Sequence, residues 1–537
     1  MVTQYKENAI KFKRFGTMID CSRNAVMNVS TLKAWMDLTS DLGYNALFLY
    51  MEDTYEVENE PYFGYLRGRY SKLELKELDV YAKSRNIELI PCIQTLAHLN
   101  QIFRWPKYRS YNDVDDILLV GEERVYELID RCFETIAECF TSKTVNIGMD
   151  EAFMLGRGKY CNLHGNEDRT EIFLKHLNRV AKLGEKYGFA LSMWSDMFFN
   201  LLDEKSSNFT SVKEKIPKNV QLVYWDYYAT EKGIYDEKIT KNQQLCKDAW
   251  FAGGLWSWTG FAPHNAFSIR ATKAAFESCI ENNVSNVLMT LWGDNGGECS
   301  KFALLPSLFY VSELAKGNMD EDSIKTKFKG KYGVEFDDFM YVDLPVSSFD
   351  GAQRTCNPDK YILYNDCFSG IMDSAIWDDC ALDYEKCANK LAQLTAHPTF
   401  GYLFKTLKAL CDLLKTKGDL GIETRKAYQR GDKTALKALL CRYDKSIEGL
   451  EKFYQAFKTQ WYYENKPQGF NVQDVRLGGA LMRLRNCKAT LEEYIDGKID
   501  RIIEFDDELL DCADGEVEPK KAVCFARWDE ITSVGKF

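Results

Sequence analysis

The sequence predicts an α/β chain in two parts. The first is eight parallel strands alternating with helices and closed into a (β/α)8 barrel over residues 1–316. The second is an all-helical domain over residues 317–537. Three observations carry this expectation. Short, near-continuous apolar runs alternate with helical stretches through the first 300 residues, as strands covered on both faces require. There are eight of them, which favours a closed barrel over an open doubly wound sheet, and no Gly-rich phosphate fingerprint follows the first. Beyond Pro306 such runs become rare and amphipathic helical periodicity takes over.

The strands are expected at residues 17–20, 45–51, 87–93, 144–150, 190–196, 221–227, 251–258 and 287–294. Ser30 is expected to cap a helix that ends near Gly43, and Ser71 with Glu74 reads as a capping box opening a helix to about Arg85. A further helix spans about residues 122–140. In the second part, helices are expected near 320–331, 381–396, 400–416, 421–430, 433–463 and 473–512, punctuated by Gly333, Pro345, Pro358, Pro398 and Pro467.

Composition narrows the function. A chain of 537 residues exceeds what one core usually supports. It is 45% hydrophobic and 28% charged, as globular proteins are. A net charge of −11 argues against nucleic acid, whose phosphates need a basic face. The 17 cysteines are scattered without C-x-x-C pairs, which suggests reduced, buried thiols. The first residues lack the apolar core of a signal peptide, and no apolar run is long enough to span a membrane. The cytoplasm is therefore the expected location. The five histidines, at 98, 164, 176, 264 and 397, form no His-x-His or His-x-x-x-His pair, so neither a metal nor a cofactor is expected.

The stretch that carries chemistry is Asn146-Ile147-Gly148-Met149-Asp150-Glu151. It reads as a strand ending in two adjacent carboxylates, with a glycine where another group comes close. Such a pair either caps a following helix or has a task, since buried acids without partners are unfavourable. The other strand ends carry Asp20 and Arg23, Glu52 and Asp53, His98, Trp194 and Asp196, Trp225 to Tyr228, Trp256 and Trp258, and Trp292 and Asp294. In a barrel of this kind the chemistry sits at that rim.

On these residues the chain resembles the family 20 glycoside hydrolases, the β-N-acetylhexosaminidases. It looks most similar to the streptococcal-type exo-β-N-acetylglucosaminidases with a helical C-terminal domain. The family signature His-x-Gly-x-Asp-Glu appears with Asn146 in place of His. Ile19-Asp20-Cys21-Ser22-Arg23 is similar to the segment whose arginine grips sugar hydroxyls. Glu52-Asp53, His98, Trp194-Ser195-Asp196 and Trp292-Gly293-Asp294 are similar to further pocket positions. The seventh strand has Trp256-Ser257-Trp258 where many members have a tyrosine, and only about a dozen residues precede the barrel here, where the family usually has a small α/β domain.

The resemblance implies an exo-acting enzyme that releases terminal β-linked GlcNAc or GalNAc from glycans, with the substrate's own 2-acetamido oxygen attacking C1. Glu151 is then the general acid, and Asp150 steadies the acetamido group. Arg23, Glu52 and Asp294 hold the hydroxyls, and His98 has a supporting role. Trp194, Trp225, Trp256 and Trp292 wall the pocket, about three of the four facing the ligand. Tyr227 is the expected donor to the acetamido oxygen because strand alternation puts it on the face of Trp225, with Tyr228 as the other choice. Blander readings stand beside these: a rim salt bridge for Arg23 with Asp20 or Glu52, core packing for each Trp, and a hydrogen-bonded structural role for His98. A non-catalytic sugar-binding barrel is the alternative for the whole. The partner is an N-acetylhexosamine glycan, with neither nucleic acid nor membrane, and a homodimer is left open.

Overall fold

The computed structural model describes residues 9–201, 209–346, 357–512 and 527–535. The first eight residues, part of the stretch read for a signal peptide, lie outside the described residues. Eight strands form a closed parallel barrel in which each pairs with the next and the eighth pairs with the first. They are β1 (Arg14–Asp20), β2 (Ala46–Tyr50), β3 (Glu88–Cys92), β4 (Thr144–Asn146), β5 (Ala190–Trp194), β6 (Val220–Trp225), β7 (Trp250–Gly254) and β8 (Asn286–Leu291). The expected (β/α)8 barrel and the helical C-terminal region are both present.

Alternation along the strands selects the barrel's filling. Ala46, Phe48 and Tyr50 of β2, Ile90 and Cys92 of β3, and Trp250 and Ala252 of β7 join Met18, Trp194, Val223 and Leu288 in one buried cluster. The register places Met18 beside Phe48 and Phe48 beside Ile90, so side chains from successive strands meet in a layer. Trp225 and Trp292 pack on this cluster while remaining partly exposed.

Local signals explain most boundaries. The box at Ser71 is complete: its hydroxyl caps the Glu74 N–H while the Glu74 carboxylate accepts from the Ser71 N–H at 2.8 Å. The first helix, Val29–Leu42, is capped by Asn28 rather than Ser30. The Asn28 side chain accepts from the Thr31 N–H at 2.8 Å, and Ser30 only donates to that same oxygen at 2.7 Å. The fourth strand stops at Asn146, four residues short of expectation. Gly148 and Met149 take φ values of 70° and 71°, which no ladder accommodates.

The described residues form two compact units. The first holds residues up to Leu255, Ser268–Trp292 and Leu308–Asp320; the second holds Trp256–Phe267, Gly293–Ser307 and residues from Glu321 on. Within the second, helices Lys433–Glu464 and Phe470–Ile495 pack along an aromatic seam of Phe453, Phe457, Trp461 and Phe470. The last of the expected long helices ends at Ile495, not near 512, because Gly497 turns left-handed and the Lys498 N–H bonds back to the Glu493 carbonyl. Also in this unit, Glu298 bridges the buried cations Lys360 and Arg476 at 2.7 and 2.8 Å.

Candidate active site

The segments that follow β2, β3 and β4 share an unusual backbone. Glu52, His98, Met149 and Glu151 all have φ between 46° and 71°. Non-glycine residues in this region are held there only when their surroundings insist, and they cluster at functional sites. In the turn after β4 the insistence comes from side chains. Gln94, two residues past β3, has its carboxamide where a Gly148 Cβ would stand, with Oε1 only 2.0 Å away. That oxygen accepts the Met149 N–H at 3.2 Å, and the Gln94 amide donates to Asp150 Oδ1 at 2.8 Å and to the Tyr50 hydroxyl at 2.9 Å. Asn146, fully buried in the signature's first position, accepts the Gly148 N–H at 2.9 Å. The glycine therefore admits a neighbouring side chain, which then grips Asp150 and the turn before it.

The two carboxyls meet different surroundings. Asp150 is buried and lies 3.3 Å from His98 Nε2. Burial alone would raise its pKa, but the nearby His98 charge and the hydrogen bond from Gln94 outweigh it and hold the carboxyl below its ordinary range. His98 responds in kind. Burial lowers its affinity for a proton, Asp150 more than compensates, and its pKa rises to about 9. The same imidazole is 3.6 Å from Glu151 and 3.7 Å from Asp116, whose carboxylate also accepts the His98 backbone N–H at 3.0 Å. Glu151 is more open, with 44% of its side chain exposed. Partial burial and the adjacent Asp150 charge push its pKa up. Geometry thus separates the pair into one acid held ionised and one that keeps its proton longer.

Arg23 lies over the rings of Tyr50 and Trp292, at 5.3 and 5.9 Å. It pairs with Glu52 at 2.8 Å and with Asp20 at 3.7 Å. Burial raises the Glu52 pKa and Arg23 offsets part of the rise. Asp53 turns to Arg67 at 2.9 Å, so Glu52 is the member of that acidic pair on the Arg23 side. Trp292 meets Tyr50 edge-on at 4.7 Å and Trp194 at 5.9 Å. Trp194 is fully buried. Trp225 stacks on Tyr227 at 5.3 Å, on a shared face, and the Trp292 indole donates to the Tyr227 hydroxyl at 2.9 Å. Tyr228 is 59% exposed. It lines a cavity of about 790 Å³ together with Glu151, Phe153, Asp196 and Trp225.

Asp150, Glu151 and His98 thus come together, as do Arg23 and Glu52, and Trp194, Trp225, Tyr227 and Trp292 gather at the same strand ends. Trp256 and Asp294 belong to the second unit, where Trp256 packs on Trp258 at 4.8 Å and Phe267 at 4.7 Å, and Asp294 has φ 30°. Sequence reasoning missed Gln94, Tyr50 and Asp116. Gln94 and Tyr50 stand at strand ends, a usable signal; Asp116 lies 18 residues from the histidine it meets and offers none. Among the described residues there is no cluster of His, Cys, Asp and Glu fit for a metal, and no helix is long and apolar enough to cross a membrane.

The catalytic domain of glycosyl hydrolase family 20 matches residues 12–242, and the C-terminal domain of glycoside hydrolase 20C matches residues 335–524. Hexosaminidase D from Bos taurus is 24% identical over 288 residues, covering 49% of this chain and 75% of that protein. Hexosaminidase D from Homo sapiens is 24% identical over 216 residues, and the chain covers 43% of its length. The exo-β-N-acetylglucosaminidase of Vibrio harveyi, solved with N-acetylglucosamine, aligns with a TM-score of 0.48 at 15% identity, over 62% of this chain and 59% of that one. The β-N-acetylhexosaminidase of Bacteroides fragilis aligns with a TM-score of 0.47 at 18% identity, over 60% of this chain and 70% of that one. With strands β1 to β6 matched by one domain of the family and residues 335–524 by another, the chain belongs to glycoside hydrolase family 20.

Proposed function

We propose that the protein is an exo-acting β-N-acetylhexosaminidase that removes terminal β-linked GlcNAc or GalNAc from glycans with retention of configuration. The observation that carries this reading is the unequal pair after β4: Asp150 held ionised by His98 and Gln94, beside a more exposed Glu151 whose pKa is raised. Adjacent residues do not straddle a sugar ring as the two carboxyls of an ordinary retaining glycosidase do. They do suit a reaction in which the substrate supplies its own nucleophile.

In that reaction the 2-acetamido oxygen attacks C1 and forms a cyclic oxazolinium, and Glu151 gives its proton to the departing glycosidic oxygen. Asp150 accepts the acetamido N–H and balances the positive charge that grows on the ring. Tyr227 donates its hydroxyl to the attacking oxygen. Glu151, now a carboxylate, takes a proton from the water that opens the ring at C1. Arg23, with its planar fork, and Glu52 hold ring hydroxyls, while Trp225 and Trp292 offer faces to the sugar's C–H side. His98 keeps Asp150 charged.

The test is hydrolysis of matched aryl β-glycosides of GlcNAc, GalNAc and glucose, with the first-formed anomer followed by NMR. The proposal expects brisk release from at least one acetamido sugar, β-configured product, and near-inert glucoside. Rapid cleavage of the plain glucoside or an α-configured first product excludes the substrate-assisted route. Binding of GlcNAc without any turnover favours the non-catalytic sugar-binding alternative.

A further inference from the structure

Besides Asn146, two side chains from neighbouring strand ends hold the turn that presents the acidic pair. One is Gln94, described above. The other is Asp196, which follows β5 and reaches back across the strand ends: its Oδ2 accepts the Glu151 backbone N–H at 2.9 Å. That contact falls on a residue with φ 51°, a conformation an L-residue does not keep without support. The turn is tied at further points, since the Trp194 N–H donates to the Gly148 carbonyl at 3.2 Å and the Phe153 N–H to the Glu151 carbonyl at 2.7 Å. None of those reaches the Glu151 N–H. Asp196 itself is partly buried, and Trp225 lines the cavity beside it. It lines the same cavity as Glu151.

We propose that Asp196 is a positioning residue for Glu151: by accepting the Glu151 backbone N–H it fixes the left-handed turn that aims the Glu151 carboxyl at the leaving group. This rests on the reading of Glu151 as the general acid. A supporting feature is that burial, and then the Asp150 charge, raise the Asp196 pKa to about 7, so the group contributes an acceptor without adding a full third negative charge at the acidic end of the pH range.

A misaimed acid harms only reactions that need a proton on the leaving oxygen. The experiment therefore compares two aryl β-N-acetylglucosaminides, one with a poor leaving group and one with a dinitrophenolate leaving group that departs unaided. Asp196→Ala, which removes the acceptor, should lose about 10–100-fold in kcat on the poor leaving group, the order expected of a misplaced catalytic group, and only a few-fold on the good one. Asp196→Asn, which keeps a carbonyl oxygen for the N–H, should recover most of the loss. Glu151→Gln is measured in parallel and should show the same leaving-group dependence more strongly. If Glu151→Gln shows it and Asp196→Ala loses equally on both substrates, or loses nothing, the positioning role of Asp196 is overturned while the acid stands. If Glu151→Gln shows no leaving-group dependence, the reading of Glu151 falls and this role with it.

Discussion

His98 and Asp150 each shift the other's proton affinity, in opposite directions. In the folded chain His98 holds its proton up to about pH 9, against an ordinary value of 6.5, so the stability it contributes is complete below 6.5 and lost as pH rises through about 9. Asp150 titrates below its ordinary 3.8, so its contribution is present above 3.8 and lost as pH falls through the lowered value. His98→Gln should therefore melt below the parent at about pH 6, by on the order of 1–3 kcal/mol, with the gap narrowing above about pH 9. A gap that does not change with pH would mean that packing, not charge, is what His98 supplies. The strand-end position of His98 is visible in the sequence. Its charge state is not, because Asp150 and Asp116 reach it only through folding.

At the scale of elements, the turn from β4 decides how the acidic pair is presented. Reading residues 144–150 as one strand follows naturally from the alternating Val145, Ile147 and Met149. The structure ends the ladder at Asn146 because the Gln94 carboxamide occupies the space beside Gly148. Gly148→Ala should therefore destabilise the chain by about 1–3 kcal/mol, as φ 70° and a Cβ 2.0 Å from the Gln94 oxygen both oppose it. It should also weaken activity by displacing the amide that holds Asp150. Urea unfolding with and without the substitution checks the first expectation and aryl-glycoside hydrolysis the second. A stable, fully active Gly148→Ala would show that the turn tolerates another path. Capping follows the same lesson: Ser30 and Asn28 both suit an N-cap, and only the backbone geometry at Asn28 selects between them.

At the scale of the molecule, each unit carries its own buried network. In the second, Glu298 and Lys360 have side chains only 1–2% exposed, and Arg476 joins them. Burial lowers the Lys360 pKa, and the Glu298 charge works against that. Removing one member of such a group strands the others, so Glu298→Gln should lower unfolding stability by roughly 3–5 kcal/mol. Chemical denaturation of the full chain measures this, and an unchanged midpoint would show that water or rearrangement compensates the cations. Nothing in the sequence announces the network, whose members lie 62 and 178 residues apart.

By itself the sequence determined the barrel, the helical region after it, the family and the rim residues Arg23, Glu52, His98, Asp150 and Glu151. The barrel, the helices and the rim depend on period and local order: alternation marks strands, a 3.6-residue repeat marks helices, and strand ends mark the rim, while the family rests on the likeness of the motifs at those ends. Tertiary structure alone decided the rest. It set Gln94 and Asp196 against the turn that carries Glu151, and it moved Asp150 and Glu151 apart in proton affinity. It also placed Trp194 in the core while leaving Trp225 and Trp292 partly open. These outcomes depend on distances between segments far apart in the chain, and on the low-dielectric surroundings that only packing creates.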